Sequence, residues 1–268
     1  MGIYRMLLVF LVPIFCWTAE VITEPLLNLL KQMDISHEGT LPSIVQATQK
    51  QWLRPAGKER WYIDELSAEK REVILLYADK LGFIQECLPQ KKHYTYAHIL
   101  GATTGRMEKR IDYLVQLYEK GIRFDHVVIL TGARPLDPAI DTLLEGCKTE
   151  SDAGHVLWQT AKMPEGMRKI PFTFVDTPMI KTEKGERRPN TGDTILAWMA
   201  LNPTPGTNLF ISNQPYVLYQ DAAVRAFLPA DRVETVGDGA KLTAQNSAVI
   251  LDTIARWLYS ENLLQGAK

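Results

Sequence analysis

Five short apolar runs in this chain each end in a loop built from Gly, Ser, Thr, Asn, Asp or Arg. Ala97-His98-Ile99-Leu100 runs into Gly101-Ala102-Thr103-Thr104-Gly105-Arg106, and Val127-Val128-Ile129-Leu130 into Thr131-Gly132-Ala133-Arg134-Pro135. Phe172-Thr173-Phe174-Val175 leads to Asp176-Thr177-Pro178, Leu209-Phe210-Ile211 to Ser212-Asn213-Gln214-Pro215, and Val233-Glu234-Thr235-Val236 to Gly237-Asp238-Gly239. Short apolar runs alternating with helical patterns predict βαβ units, and hence a parallel sheet. In such a sheet the C-terminal ends of all strands share one edge, and ligands bind in the crevice there. The expected fold class is therefore α/β: a Rossmann-like parallel sheet of about five strands flanked by helices, with a helical N-terminal segment. Five scattered loops become one candidate site.

Residues 93–268 form the α/β unit in this reading. Its helices are expected over Arg106–Lys120, Glu150–Lys162, Thr191–Leu201, Val217–Phe227 and Thr243–Leu258, where apolar residues recur at helical spacing. Residues 20–92 lack the strand-loop signature and read as helical. Pro25–Met33 is a short amphipathic stretch, and Leu41–Leu53 carries Ile44, Val45, Trp52 and Leu53 between polar residues. Ser67 is placed to cap a third helix whose apolar face is Val73, Ile74, Tyr77 and Leu81, and Gly82 stops it. This segment is expected to pack on the sheet domain.

Residues 1–19 read as a leader. Arg5 precedes a stretch of about ten apolar residues, Met6 to Phe15, too short for the roughly 20 that span a bilayer. Cys16-Trp17-Thr18-Ala19 offers a cleavage region in which Trp17 is bulky, so an uncleaved anchor and a buried N-terminal helix stay open beside an export signal. Export, with membrane proximity through the N-terminus, would place Cys87 and Cys147 in an oxidising compartment where they can pair. The formal net charge of −1 argues against bulk attraction to nucleic acid, so anion binding has to be local. The chain has no CxxC pair and no HExxH motif, and no metal ligand set is assigned.

The chemistry-bearing residues lie in the loops. Gly101, Thr103, Thr104, Gly105 and Arg106 join the first strand to a helix, where glycines permit close approach and a helix N-terminus offers N–H groups to an anion. The loop is neither GxGxxG nor a phosphate-binding loop with Gly-Lys-Ser/Thr, and an ordinary tight turn explains it equally well. Gly132 and Arg134 follow the second strand; a guanidinium there can hold phosphate or carboxylate bidentately, or pair with Asp137 or Asp176. The stretch from Asp176 to Asn190 reads as a long basic loop through Lys181, Lys184, Arg187 and Arg188, and Asn190 or Thr191 can cap the next helix. Ser212, Asn213 and Gln214 follow the fourth strand without a nucleophile elbow, and offer neutral hydrogen-bonding groups. Of the histidines, His155 is the acid–base candidate; His98, inside a strand, reads as core.

The order of these motifs resembles the YdcF/SanA/ElyC-like α/β proteins of bacteria. The matching pieces are Leu100-Gly101-Ala102, Arg106 with Arg110, Thr131-Gly132-Ala133-Arg134, Glu150, Asn190-Thr191-Gly192-Asp193, and Ile211-Ser212-Asn213-Gln214 with Arg225. They span about residues 94–258. Asp193 stands where the family pattern has Glu and is followed by Thr194 instead of Asn; the fourth-strand loop has Gln214 and Tyr216 and lacks the family's His. The resemblance implies a Rossmann-like fold, tethered to the membrane or exported, a link to cell-envelope maintenance, and a nucleotide-like ligand such as S-adenosylmethionine.

These observations lead to an exported protein that binds a small anionic ligand, such as a nucleotide or a lipid-linked sugar phosphate, at the strand C-terminal edge. Arg106, Arg134 and Arg188 would hold its charge, and Asn190, Thr191, Asn213 and Gln214 its orientation. Glu150, Asp176 and Asp193 are the candidate general bases for phosphoryl transfer or hydrolysis, or ligands for an accompanying Mg²⁺. One alternative is a non-enzymatic module whose N-terminal helices dock a partner or the membrane. Another is an S-adenosylmethionine-binding protein, although Leu130-Thr131-Gly132 lacks the acidic residue that would take the ribose.

Overall fold

The computed structural model describes residues 20–55, 62–183 and 185–266; the leader expected at residues 1–19 and Lys184 of the basic loop lie outside them. Three helices come first: α1 (Glu24–Gln32), α2 (Leu41–Gln51) and α3 (Ala68–Lys80). The α/β unit follows with β1 (His93–Leu100), α4 (Thr104–Glu119), β2 (Arg123–Gly132), α5 (Glu150–Thr160), the short α6 (Glu165–Arg168) and β3 (Phe172–Thr177). A small hairpin, β4 (Ile180–Thr182) and β5 (Gly185–Arg187), precedes α7 (Thr191–Met199). The chain then runs through β6 (Asn208–Asn213), α8 (Val217–Arg225), β7 (Val233–Asp238) and α9 (Ser247–Gly266).

The expected sheet is present. Its five strands lie in the order β3-β2-β1-β6-β7, all neighbours parallel. Both faces are covered at the centre of the sheet, so Val127–Leu130 of β2 and Leu209–Ile211 of β6 read as continuous apolar runs instead of alternating. Ile99, Val127, Ile129 and Ile211 point to one face, into a core with Met107, Ile111 and Leu114 of α4. Leu100, Val128, Leu130 and Phe210 point to the other, against Ile195 and Trp198 of α7 and Val224 of α8. A third core joins the N-terminal helices to the rest: Leu26, Leu29, Leu30, Ile44 and Ile74 pack with Ile250, Ile254 and Leu258 of α9 and Ala222 of α8.

The structure departs from the sequence reading in three places. The stretch from Asp176 to Asn190 is not a plain loop, because Gly185, at φ +114°, turns it into the β4–β5 hairpin. The last helix begins at Ser247, not Thr243; residues 242–244 form a 3₁₀ turn, and the Glu65 carboxylate accepts from the Ser247 N–H at the helix start. Cys87 and Cys147 form no disulfide: the buried Cys87 thiol contacts the Thr235 carbonyl on β7, whereas Cys147 lies just before α5.

His98 is core, as expected. Its ring stacks on Phe210 at 4.2 Å between centroids and meets Trp198 edge-on at 4.5 Å. Nε2 donates to Asn208 Oδ1 at 2.9 Å, while the buried Nδ1 has no hydrogen-bond partner. Burial lowers its pKa from 6.5 to about 3. In the unfolded chain the ring protonates as pH falls through 6.5, whereas the folded ring stays neutral to about pH 3. Stability from this site is therefore complete above pH 6.5 and falls by about 1.4 kcal/mol per pH unit below it. Urea unfolding at pH 7 and pH 5 should show a loss of about 2 kcal/mol from this group. The loss should shrink by that amount in His98→Leu; an equal loss in both proteins would exclude His98 as its source.

Candidate functional site

The strand order reverses between β1 and β6, and this is where an open parallel sheet forms its crevice. Here a buried side chain, Arg110 of α4, fills it. Its Nη1 donates to the carbonyls of Leu100 at 2.6 Å and Gly101 at 3.0 Å, and Nε to Asn213 Oδ1 at 3.0 Å. Nη2 reaches Gln220 Oε1 at 3.5 Å, which also accepts from the Ser212 hydroxyl. Burial lowers the guanidinium pKa to about 10, so it stays a cation at neutral pH. Gln214 is turned away, donating to the Gly82 and Gln85 carbonyls, both at 2.8 Å. Ser212, Asn213 and Gln214 thus tie the β6 loop to Arg110 and to the chain after α3; they do not line the cavity beside them.

That cavity, of about 440 Å³, lies toward the ends of β1 and β2. It brings together Gly101, Thr103, Arg106, Gly132, Arg134, Glu150, Arg188, Asn190 and Thr191 from the expected residues. Thr104 and Gly105 are not on its wall. Thr104 is buried behind it, its N–H donating to Asp141 Oδ1 at 2.9 Å and its hydroxyl accepting from the Thr142 N–H at 2.7 Å. Both wall glycines are required by close approach. A Cβ on Gly101 would sit 2.2 Å from Glu150 Oε1 and 2.7 Å from the Leu130 carbonyl, and one on Gly132 2.3 Å from Pro189 Cγ.

Six arginines face this cavity, namely Arg54, Arg106, Arg134, Arg187, Arg188 and Arg256, against the single carboxylate of Glu150 among the described lining residues. Arg54, Arg256, Tyr219 and Gln220 were not legible as site residues. Arg54 follows α2 and Arg256 lies on α9, and they meet because Asp252, wholly buried, takes both: Arg256 at 2.9 and 3.2 Å and Arg54 at 3.8 Å. A carboxylate inside the apolar run of α9 was the one sequence signal for this pairing.

Other carboxylates orient Arg134 and Arg187. Arg134 donates to Asp141 at 2.8 and 3.1 Å and to Glu150 at 3.1 Å, so its partners are neither Asp137 nor Asp176. Arg187 donates to Asp193 at 2.6 and 3.0 Å. Asp193 is also the third residue of a capping box with Asn190, which explains the Asn-Thr-Gly-Asp stretch as a helix start and leaves Asp193 off the cavity wall. Asp176 is exposed on β3 and is not on the wall either. Of the three candidate bases, Glu150 alone lines the cavity. Burial raises its carboxyl pKa, against the pull of Arg134 and Arg110. For Asp141, burial acts upward too, but hydrogen bonds from Arg134 and from the Asp137 and Thr104 N–H groups carry it below the usual range. Arg106 lies over the Tyr216 ring at 4.8 Å. His155 stacks on Phe174 at 3.6 Å and does not line the cavity.

Among the described residues no group of His, Cys, Asp and Glu is arranged to hold a metal ion, and no helix is long and apolar enough to cross a membrane. No family model matches the chain. It is 28% identical over 224 aligned residues to an uncharacterized protein of Mycobacterium bovis, and equally to uncharacterized proteins of two Mycobacterium tuberculosis strains. In each case the match covers 68% of this chain and 61% of the relative, so the chain spans about three fifths of the relatives' length.

Proposed function

We propose that this protein binds a small phosphate-bearing anion in the arginine-lined cavity at the C-terminal edge of its sheet. The observation that carries this is the charge of the wall: among the described lining residues are six arginines from separate parts of the chain and one carboxylate, and Asp141, Asp193 and Asp252 behind the wall pair with four of those arginines, leaving the site net positive. Among the described lining residues the cations are all arginines, which favours planar, bidentate recognition of phosphate over a diffuse positive field. Arg106 and Arg188 take the ligand; Arg54 and Arg256, held by Asp252, and Arg187, held by Asp193, border the same space. Arg134, with its guanidinium committed to Asp141 and Glu150, positions Glu150 and the loop around it. Thr191 at the start of α7 adds a backbone N–H on the wall, whereas the Asn190 N–H is taken by Asp193. Glu150, with its raised pKa, is the group for proton transfer in phosphoryl transfer or hydrolysis. The apolar pattern of residues 1–19, read as an export signal or anchor, supports an envelope location for this activity. The same charge balance argues against a cationic sulfonium such as S-adenosylmethionine.

Titration calorimetry with pyrophosphate tests the reading. Arg106→Ala is expected to weaken binding about tenfold to a hundredfold, the effect of losing one or two charge-assisted hydrogen bonds. Raising the salt concentration should weaken it further. Absence of binding, or binding that ignores Arg106→Ala while the fold is intact, would overturn it.

A further inference from the structure

A second cavity adjoins the first. Its volume is about 360 Å³, and it shares Thr103, Arg106 and Ile140 with the arginine-lined one. Both lie within the roughly 300–1,000 Å³ typical of small-molecule sites. Their walls differ in kind. Arg106 is the one charged side chain among the described residues that line the second cavity; the rest of that wall includes Ile63, Tyr216 and Val249, with the neutral Gln245 and Asn246. Arg106 stands at the junction, its guanidinium over the Tyr216 ring at 4.8 Å, so the residue that borders the anion compartment also builds the wall of its neighbour.

We infer that the ligand is an organic phosphate whose uncharged heterocyclic ring occupies this second cavity, with its phosphate groups across Arg106 among the arginines. The inference rests on the anion-binding reading above and adds the chemistry of the other end. A second phosphate would find one cation there, which excludes a doubly anionic ligand spread over both compartments. A hydrocarbon chain would desolvate the polar groups of Gln245 and Thr103 without replacing their hydrogen bonds, at a cost that a purely apolar wall would not carry. A ring with a hydrogen-bonding edge matches both halves of the lining: its face meets Ile63, Ile140 and Val249, and its edge meets Gln245 and Thr103, the Asn246 amide being held by Ile63 and Val249.

Calorimetry of the full chain against pyrophosphate, ADP and geranyl diphosphate separates the possibilities. ADP is expected to bind at least tenfold more tightly than either other compound. Val249→Trp, which fills the second cavity, should remove that advantage and leave pyrophosphate affinity unchanged. Ala244→Trp, at an exposed position on the same wall, serves the same purpose if Val249→Trp lowers the melting temperature. Binding of ADP alone, lost in Arg106→Ala and in either tryptophan variant, also supports the inference. If pyrophosphate binds and ADP gains nothing, the ring assignment falls while the anion site stands. An equal gain for geranyl diphosphate would replace the ring by a hydrocarbon and overturn it. If none of the three binds, the anion reading itself has failed.

Discussion

Replacing Arg110 by methionine is expected to cost about 3–5 kcal/mol of folding stability, the sum over several buried acceptors that lose a charged donor. Arg110 donates to the carbonyls that end β1 and to the Asn213 side chain at the end of β6, and it is almost wholly buried. Methionine fills much of the volume but donates nothing, and each buried acceptor left without a donor costs about 1–3 kcal/mol. Relief of the guanidinium's own desolvation offsets part of the sum. Arg110→Lys should recover little, because one ammonium cannot reproduce a planar fork directed at several acceptors. Urea denaturation of both variants checks this. A loss below 1 kcal/mol in Arg110→Met would mean that water replaces the guanidinium and that the strand ends are held together by packing alone.

Asp141→Ala is expected to be comparably damaging, by about 3–5 kcal/mol, for the complementary reason. The Asp141 side chain is fully buried and accepts from Arg134 twice and from the Thr104 and Asp137 N–H groups, each at 2.9 Å. Its removal leaves the Arg134 guanidinium with Glu150 as its one remaining carboxylate and leaves the first N–H of α4 without an acceptor. Because its folded pKa is below the usual carboxylate value, Asp141 contributes stability that is complete above about pH 4 and is lost as pH falls through that range. Chemical denaturation should show the wild type losing stability on acidification over this range and the variant losing less. Faster hydrogen exchange at Thr104 would place the damage at the start of α4. Unchanged exchange there, with unchanged stability, would remove Asp141 from the architecture of the site.

The parts of this protein that follow from local pattern were legible in its residues. Continuous apolar runs such as Val127–Leu130 mark strands buried on both faces, and Asn190 with Asp193 marks a helix start whether or not a ligand binds nearby. The edge on which the site lies follows from strand direction alone. The roles of individual polar residues within that edge were less legible. Asn213 and Gln214 look like ligand-reading groups in a loop, but one faces Arg110 and the other the carbonyls after α3. Asp193 looks like a base and is a cap held by Arg187. Both outcomes depend on which donor happens to lie opposite, and a single segment does not contain that information.

The parallel sheet, the helices between its strands and the edge where chemistry can take place follow from the residues alone, because hydrophobic periodicity and turn residues act over a few neighbouring positions. The tertiary structure decided which arginines meet. Arg54 and Arg256 lie far apart in the chain and share Asp252 because the helix α2 packs on α9, and Arg134 finds Asp141 because the loop after β2 folds back on itself. Burial makes an unpaired charge costly, so pairing is set by the route of the whole chain. That route brought three of the five strand-end loops, with Arg54 and Arg256, to one cavity walled by guanidinium groups.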